Sequence, residues 1–274
     1  MIVFPHLDFS TVRDPIKTEE TIYNQIKDIK LPVEYVGIPI AYSINTQGIE
    51  KTQDVINDIN KKYPFKKLFV CQHIYVNRLN FGDNLVFTPH TEESDNYFFI
   101  PHFNPIGNDK PPRVNYSDRN LDFSFIGDFG TNQVRERISV LNTPKTPILS
   151  TGKWFFSYDE EKQKDLLGVY LKTLKDSKMS ICPMGTGPST LRLFESMSVG
   201  SIPIIFNNLK LPKEIKEMIK IIGANEFIEN PEKHIICDAK GDMISKDIYE
   251  IYWEKLSNNN LHKSIIVTLK ENGY

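Results

Sequence analysis

The chain has 274 residues, enough for one large domain or two of modest size. A composition that is 40% hydrophobic and 25% charged can fill a core without disulfide staples. The formal charge of -2 lacks the basic excess of a nucleic-acid binder, and the longest mostly apolar stretch, Val199 to Phe206, falls far short of a bilayer span.

The opening Met1-Ile2-Val3-Phe4-Pro5-His6 lacks the basic start and apolar run of a signal peptide. The expected compartment is therefore the cytoplasm, with neither a membrane nor a nucleic acid as partner. Cys71, Cys182 and Cys237 lie far apart with no CxxC pair, so neither a zinc site nor a disulfide framework is readable.

Short apolar runs alternate with helical patterns, which predicts parallel βα units. Residues 2–4 read as a strand, 18–30 as a helix, 33–41 as a strand and 54–62 as a helix. Three more strands follow at 67–71, 85–87 and 97–100. Pro101 to Asn120, rich in Pro, Asn and Asp, reads as a linker. The alternation then restarts, with strands at 123–127, 147–150, 179–182 and 202–205. Helices are predicted at 133–141, 163–176 and 190–198, then at 247–256 and 261–271. The expected architecture is α/β: two doubly wound, Rossmann-like lobes facing a cleft. Residues 1–112 would form the first lobe and 113–274 the second, with the last helices free to pack back on the first.

In open α/β sheets, ligands collect at the carboxyl ends of strands, beside helix N-termini that favour anions. The densest motif is of that kind. Cys182-Pro183-Met184-Gly185-Thr186-Gly187-Pro188-Ser189-Thr190 ends a strand in a glycine-bearing turn, and Leu191-Arg192-Leu193-Phe194-Glu195 opens a helix. Gly185 and Gly187 let a backbone approach a ligand closely. Ser189 or Thr190 suits either a helix cap or a phosphate contact. Arg192 and Glu195 share a helix face, where an ordinary surface ion pair would look the same.

This segment, from Ser177-Lys178 through Ser189-Thr190-Leu191-Arg192-Leu193-Phe194-Glu195 to Gly200-Ser201-Ile202-Pro203, resembles the exostosin-type glycosyltransferases of glycosyltransferase family 47. Phe125-Ile126-Gly127 with Val134-Arg135, and Asp95 to Pro101, resemble further stretches of that family. Val70-Cys71-Gln72-His73 sits where the family carries Arg-Asp-His-Phe, with Gln72 replacing the Asp, and Ser201 replaces a Cys. The chain resembles the compact, soluble members of large DNA viruses, among which xylosyl transfer is known.

The resemblance implies a GT-B fold and inverting transfer of a sugar from a UDP-sugar, a substrate rather than a cofactor, to an oligosaccharide or glycoprotein acceptor. UDP-xylose is the first donor it suggests, ahead of UDP-glucuronate, UDP-galactose and UDP-N-acetylglucosamine. A non-catalytic nucleotide- or glycan-binding module of the same fold is the alternative, which Gln72 favours. Gly127, Arg135, Lys153, Gly185, Ser189, Thr190 and Arg192 are the donor-binding candidates, and Glu195 fits the family's ribose-binding acid. Trp154, Phe155 and Phe156 suit either uracil stacking or core packing. The chain has no D-x-D, so no metal is expected, and basic side chains and helix dipoles would stabilise the leaving diphosphate.

Inversion also needs a general base from the first lobe. Asp8 and His73 lead, ahead of His6 and of His90 with Glu92 and Glu93; His102 reads as structural.

Overall fold

The computed structural model describes residues 2–3, 9, 17–90, 95–206, 211 and 213–274. They divide into two compact units, Met1–Pro105 with Lys255–Tyr274, and Ile106–Glu254.

The first unit contains β1 (Ile2–Val3), α1 (Thr18–Ile26), β2 (Glu34–Gly37), α2 (Ile40–Lys62), β3 (Lys67–Val70), β4 (Leu85–Thr88) and β5 (Tyr97–Phe99). Its sheet is parallel with the strands in chain order. Alternation along β3 sends Leu68 and Val70 to one face and Phe69 to the other. The first pair packs with Ile22 and Ile26 of α1 and with Leu261 and Ile265, while Phe69 packs with Ile56 and Ile59 of α2. Both faces of the sheet are therefore covered by helices. The expected strand at 33–41 is shorter, because α2 begins at Ile40 and absorbs the predicted helix at 54–62. Gly48, at φ +86°, breaks the regular geometry inside α2.

The second unit contains β6 (Leu121–Gly127), α3 (Gln133–Arg137), β7 (Ile148–Ser150), α4 (Glu160–Asp176), β8 (Ser177–Ile181), α5 (Leu191–Ser198), β9 (Ile202–Phe206), α6 (Lys213–Met218), β10 (Lys220–Ile222), α7 (Ala224–Glu229) and α8 (Asp238–Ile251). The last helix, α9 (Leu261–Glu271), belongs to the first unit. The sheet of the second unit runs β10-β9-β8-β6-β7, all parallel. The chain starts in β6, adds β7 on one side, then crosses back to build β8, β9 and β10 on the other. That reversal is a topological switch point, and the crevice it opens lies beyond the carboxyl ends of β6 and β8.

Local sequence explains this layout. Strand β9 is wholly buried, and its Pro203 precedes Ile204, where pairing with β10 begins. Helix α5 buries Leu193, Phe194 and Met197. It stops at Gly200, whose φ of +72° lets Ser201 N–H close back on the Ser196 carbonyl. Ser201, in place of the family's Cys, shares a 2.6 Å hydrogen bond with Ser180 in the core.

Candidate functional site

The switch point brings together most of the donor-binding candidates. Gly127 ends β6, and a Cβ there would lie 3.0 Å from the Phe125 ring and 3.1 Å from Arg192 Nη2. Glycine leaves the Arg192 guanidinium room to cross the strand end without a side-chain shift. That guanidinium lies 4.3 Å from the centre of the Phe125 ring and donates from Nη2 to the Ile126 carbonyl. Its Nε is buried and has no acceptor among the described residues.

Arg135, from α3, lies 5.4 Å from the centre of the same ring. It donates from Nε to the Met184 carbonyl at 3.0 Å and from Nη1 to the Asp128 carbonyl at 3.1 Å. Gly185 keeps the turn open for it, since a Cβ there would sit 3.1 Å from Arg135 Nη2. Burial, helped by the charge of Arg192, pulls Arg135 down to about 10. Two guanidiniums thus share one aromatic ring, an arrangement that an anion beside them would relieve.

Ser189 and Thr190 are buried just ahead of α5. Thr190 has an extended backbone at the N-cap, yet its side chain caps nothing, so the cap reading of Thr190 is not realised. Glu195 is 7% exposed, and its Oε2 accepts from Tyr170 Oη of α4 at 2.5 Å. Burial raises the Glu195 carboxyl above its usual range, while Arg192 and the Tyr170 hydroxyl pull it back. The surface ion pair is therefore not formed: Glu195 is buried and bonded to Tyr170, and Arg192 donates to the Ile126 carbonyl. Cys182, beneath the turn, is a buried thiol pushed up to about 12 by burial, inert rather than reactive.

Lys153 lies in a loop that Thr151 N–H ties to the Gly127 carbonyl at 3.1 Å. It is exposed in the loop after β7, with its ammonium 4.3 Å from the centre of the Tyr158 ring. Trp154 beside it is 50% exposed, which removes the core-packing alternative for that residue.

The base candidates belong to the first unit. Asp8, His6, Glu92 and Glu93 lie outside the described residues. His73 follows β3. Tyr75 N–H donates to its Nδ1 at 3.0 Å, so Nε2 carries the proton and donates it to Asn45 Oδ1 at 3.0 Å. The lone pair a base would use is on Nδ1 and already faces an N–H. His90 is buried, its Nε2 donates to the Gln72 carbonyl at 3.1 Å, and burial pushes it down to about 4. Its ring lies 5.0 Å from that of His102, edge to face.

Gln72 in place of Asp leads one to expect no carboxylate near His73. A buried carboxylate from α1 instead binds Gln72 itself. Glu19 Oε1 accepts from Gln72 N–H at 2.8 Å and from Ala41 N–H at 3.1 Å, while Gln72 Oε1 accepts from Glu19 N–H at 3.1 Å. This buried carboxylate fastens the carboxyl end of β3 to the start of α2. Sequence reading missed it, because an acidic residue in the first turn of a helix is ordinary. Among the described residues no group of three or more His, Cys, Asp or Glu is placed to hold a metal ion, and no helix is long and apolar enough to cross a membrane.

Comparison with solved structures finds loose overlaps. HepE of Anabaena, in complex with UDP and glucose, has 11% identity and a TM-score of 0.47, over 93% of this chain and 81% of that one. The lipopolysaccharide outer core galactosyltransferase WaaB, in its apo form, has 12% identity and a TM-score of 0.45, over 92% and 96%. TarM has 12% identity and a TM-score of 0.41, over 77% of this chain, which spans 57% of the TarM chain. At these scores no residue of theirs can be carried across. No curated protein matches the sequence significantly. A family model does: residues 108–221, which hold every donor-binding candidate from Gly127 to Glu195, match the RXYLT1 C-terminal domain, in agreement with the exostosin-like resemblance of this segment.

Proposed function

We propose that this protein is an inverting glycosyltransferase that moves a sugar, xylose first among the candidates, from a UDP-sugar to a hydroxyl of an oligosaccharide or glycoprotein acceptor. The observation that carries this reading is the grouping of Arg135, Arg192 and Glu195 around the switch point of the second unit, inside the matched segment. In the reaction the acceptor oxygen bonds to the anomeric carbon, the bond from that carbon to phosphate breaks, and UDP leaves. Charge builds on the leaving diphosphate, where two guanidiniums and the N-terminus of α5 are suited to meet it. Glu195 would accept from the ribose, and Trp154 would stack on the uracil ring. The proton of the acceptor hydroxyl would pass to Asp8 or His73, without a metal ion.

A second reading, a nucleotide- or glycan-binding module without turnover, is favoured by one observation: both ring nitrogens of His73 are engaged. Incubation with a panel of UDP-sugars and acceptor glycans separates the two. The transferase reading expects free UDP in proportion to enzyme and time. Binding of UDP with no UDP released from any donor would favour the module.

A further inference from the structure

Tyr170 and Glu195 come from different helices, α4 and α5, and meet through one hydrogen bond of 2.5 Å to Oε2. No described residue donates to Oε1. The Tyr170 ring is itself held, with the Arg192 guanidinium 5.4 Å from its centre. A buried carboxylate is costly unless it is hydrogen-bonded, and one with a single fixed oxygen has a defined plane. We propose that Tyr170 is a positioning residue for nucleoside recognition: by holding Oε2 it orients the Glu195 carboxylate so that Oε1 is the oxygen that receives a ribose hydroxyl of the donor. This rests on the UDP-sugar reading, and it assigns Tyr170 no contact with the ligand.

The test compares the affinity of UDP with that of 2′,3′-dideoxy-UDP, which lacks the hydroxyls, in the wild-type protein and in Tyr170→Phe. The wild type is expected to prefer UDP by about tenfold or more. In Tyr170→Phe, UDP affinity should fall by about tenfold while dideoxy-UDP affinity stays put, so the preference collapses. A merely structural role would weaken both ligands alike, and that result overturns the proposal, as does a preference that survives the substitution. If the phenylalanine variant fails to fold, Tyr170→Met removes the same hydroxyl and is measured instead.

The pH profile is a second readout. The groups facing Glu195 are Arg192 on its own helix, Tyr170 from α4 and Cys182 from the turn after β8. Binding through Oε1 needs the ionised carboxylate and fails as pH drops through its pKa. Loss of the Tyr170 hydroxyl removes a bond that lowers that pKa, so the acid limb of UDP binding should move to higher pH. An unmoved limb counts against the proposal. A wild type that binds UDP and dideoxy-UDP equally overturns the role of Tyr170 and leaves the UDP reading standing. A wild type that binds neither overturns both.

Discussion

The Arg192 guanidinium is clamped against the Phe125 ring, 4.3 Å from its centre, while it donates to the carbonyl of Ile126 at the end of β6. A helix residue is thereby tied to the neighbouring strand across the switch point. Lysine has neither the planar face nor the forked donors to do this. Arg192→Lys is expected to weaken UDP binding by about 1–2 kcal/mol, measured by calorimetry on protein whose fold is checked by circular dichroism. Unchanged affinity would take Arg192 out of the donor site.

His90 makes the stability of the protein depend on pH. Burial pushes its imidazole down to about 4 from an ordinary 6.5. Between those values the unfolded chain takes up a proton that the folded chain refuses. Stability is therefore full above pH 6.5 and falls as pH drops towards 4, by on the order of 3 kcal/mol from this residue. His102, lowered in the same direction by burial and by His90, adds to the slope. Urea unfolding at pH 7 and pH 5 should show the loss, and His90→Asn should flatten it. An equal slope in that variant would contradict the assignment.

Metal removal should leave turnover intact. The chain has no D-x-D, and in the proposed donor site Arg135 and Arg192, both over the Phe125 ring, would take the place of a cation at the leaving diphosphate. Activity abolished by EDTA and restored by manganese would show that this account of the leaving group is wrong.

For the general base, replacement should cut turnover by roughly 10²–10⁴-fold and spare UDP binding. The engaged Nδ1 of His73 shifts the expectation towards Asp8, so Asp8→Asn rather than His73→Ala should show that separation. Near-normal turnover in both variants would move the role to His6 or to the loop from His90 to Glu93.

The turn proposed as the donor side of the site was readable in the sequence because a βα turn is contiguous: Cys182 to Glu195 carries the strand end, the glycines and the first helical turn in one stretch. Strands β6, β8 and β9 stood out for the same local reason, as short apolar runs. Their order in the sheet, and with it the switch point, is set by long-range pairing that no local pattern encodes. The edge strand β10 was missed because it is three residues long with Ile221 42% exposed. Helix α2 was read too short because Gly48 and the polar residues around it hide its first half. Glu19 and Tyr170 gave no signal at all. Each resembles an ordinary helix residue until packing brings a partner from elsewhere in the fold: Gln72, 53 residues from Glu19, and Glu195, 25 residues from Tyr170.

The most direct test of the donor site is calorimetric titration of UDP into the wild type and into Glu195→Ala. The buried carboxylate beside Arg192 should contribute a hydrogen bond of charged character, so its removal should weaken UDP binding by about 1–3 kcal/mol in a folded variant. Equal UDP affinity in wild type and folded Glu195→Ala would contradict the placement of the nucleotide at the β6–β8 switch point.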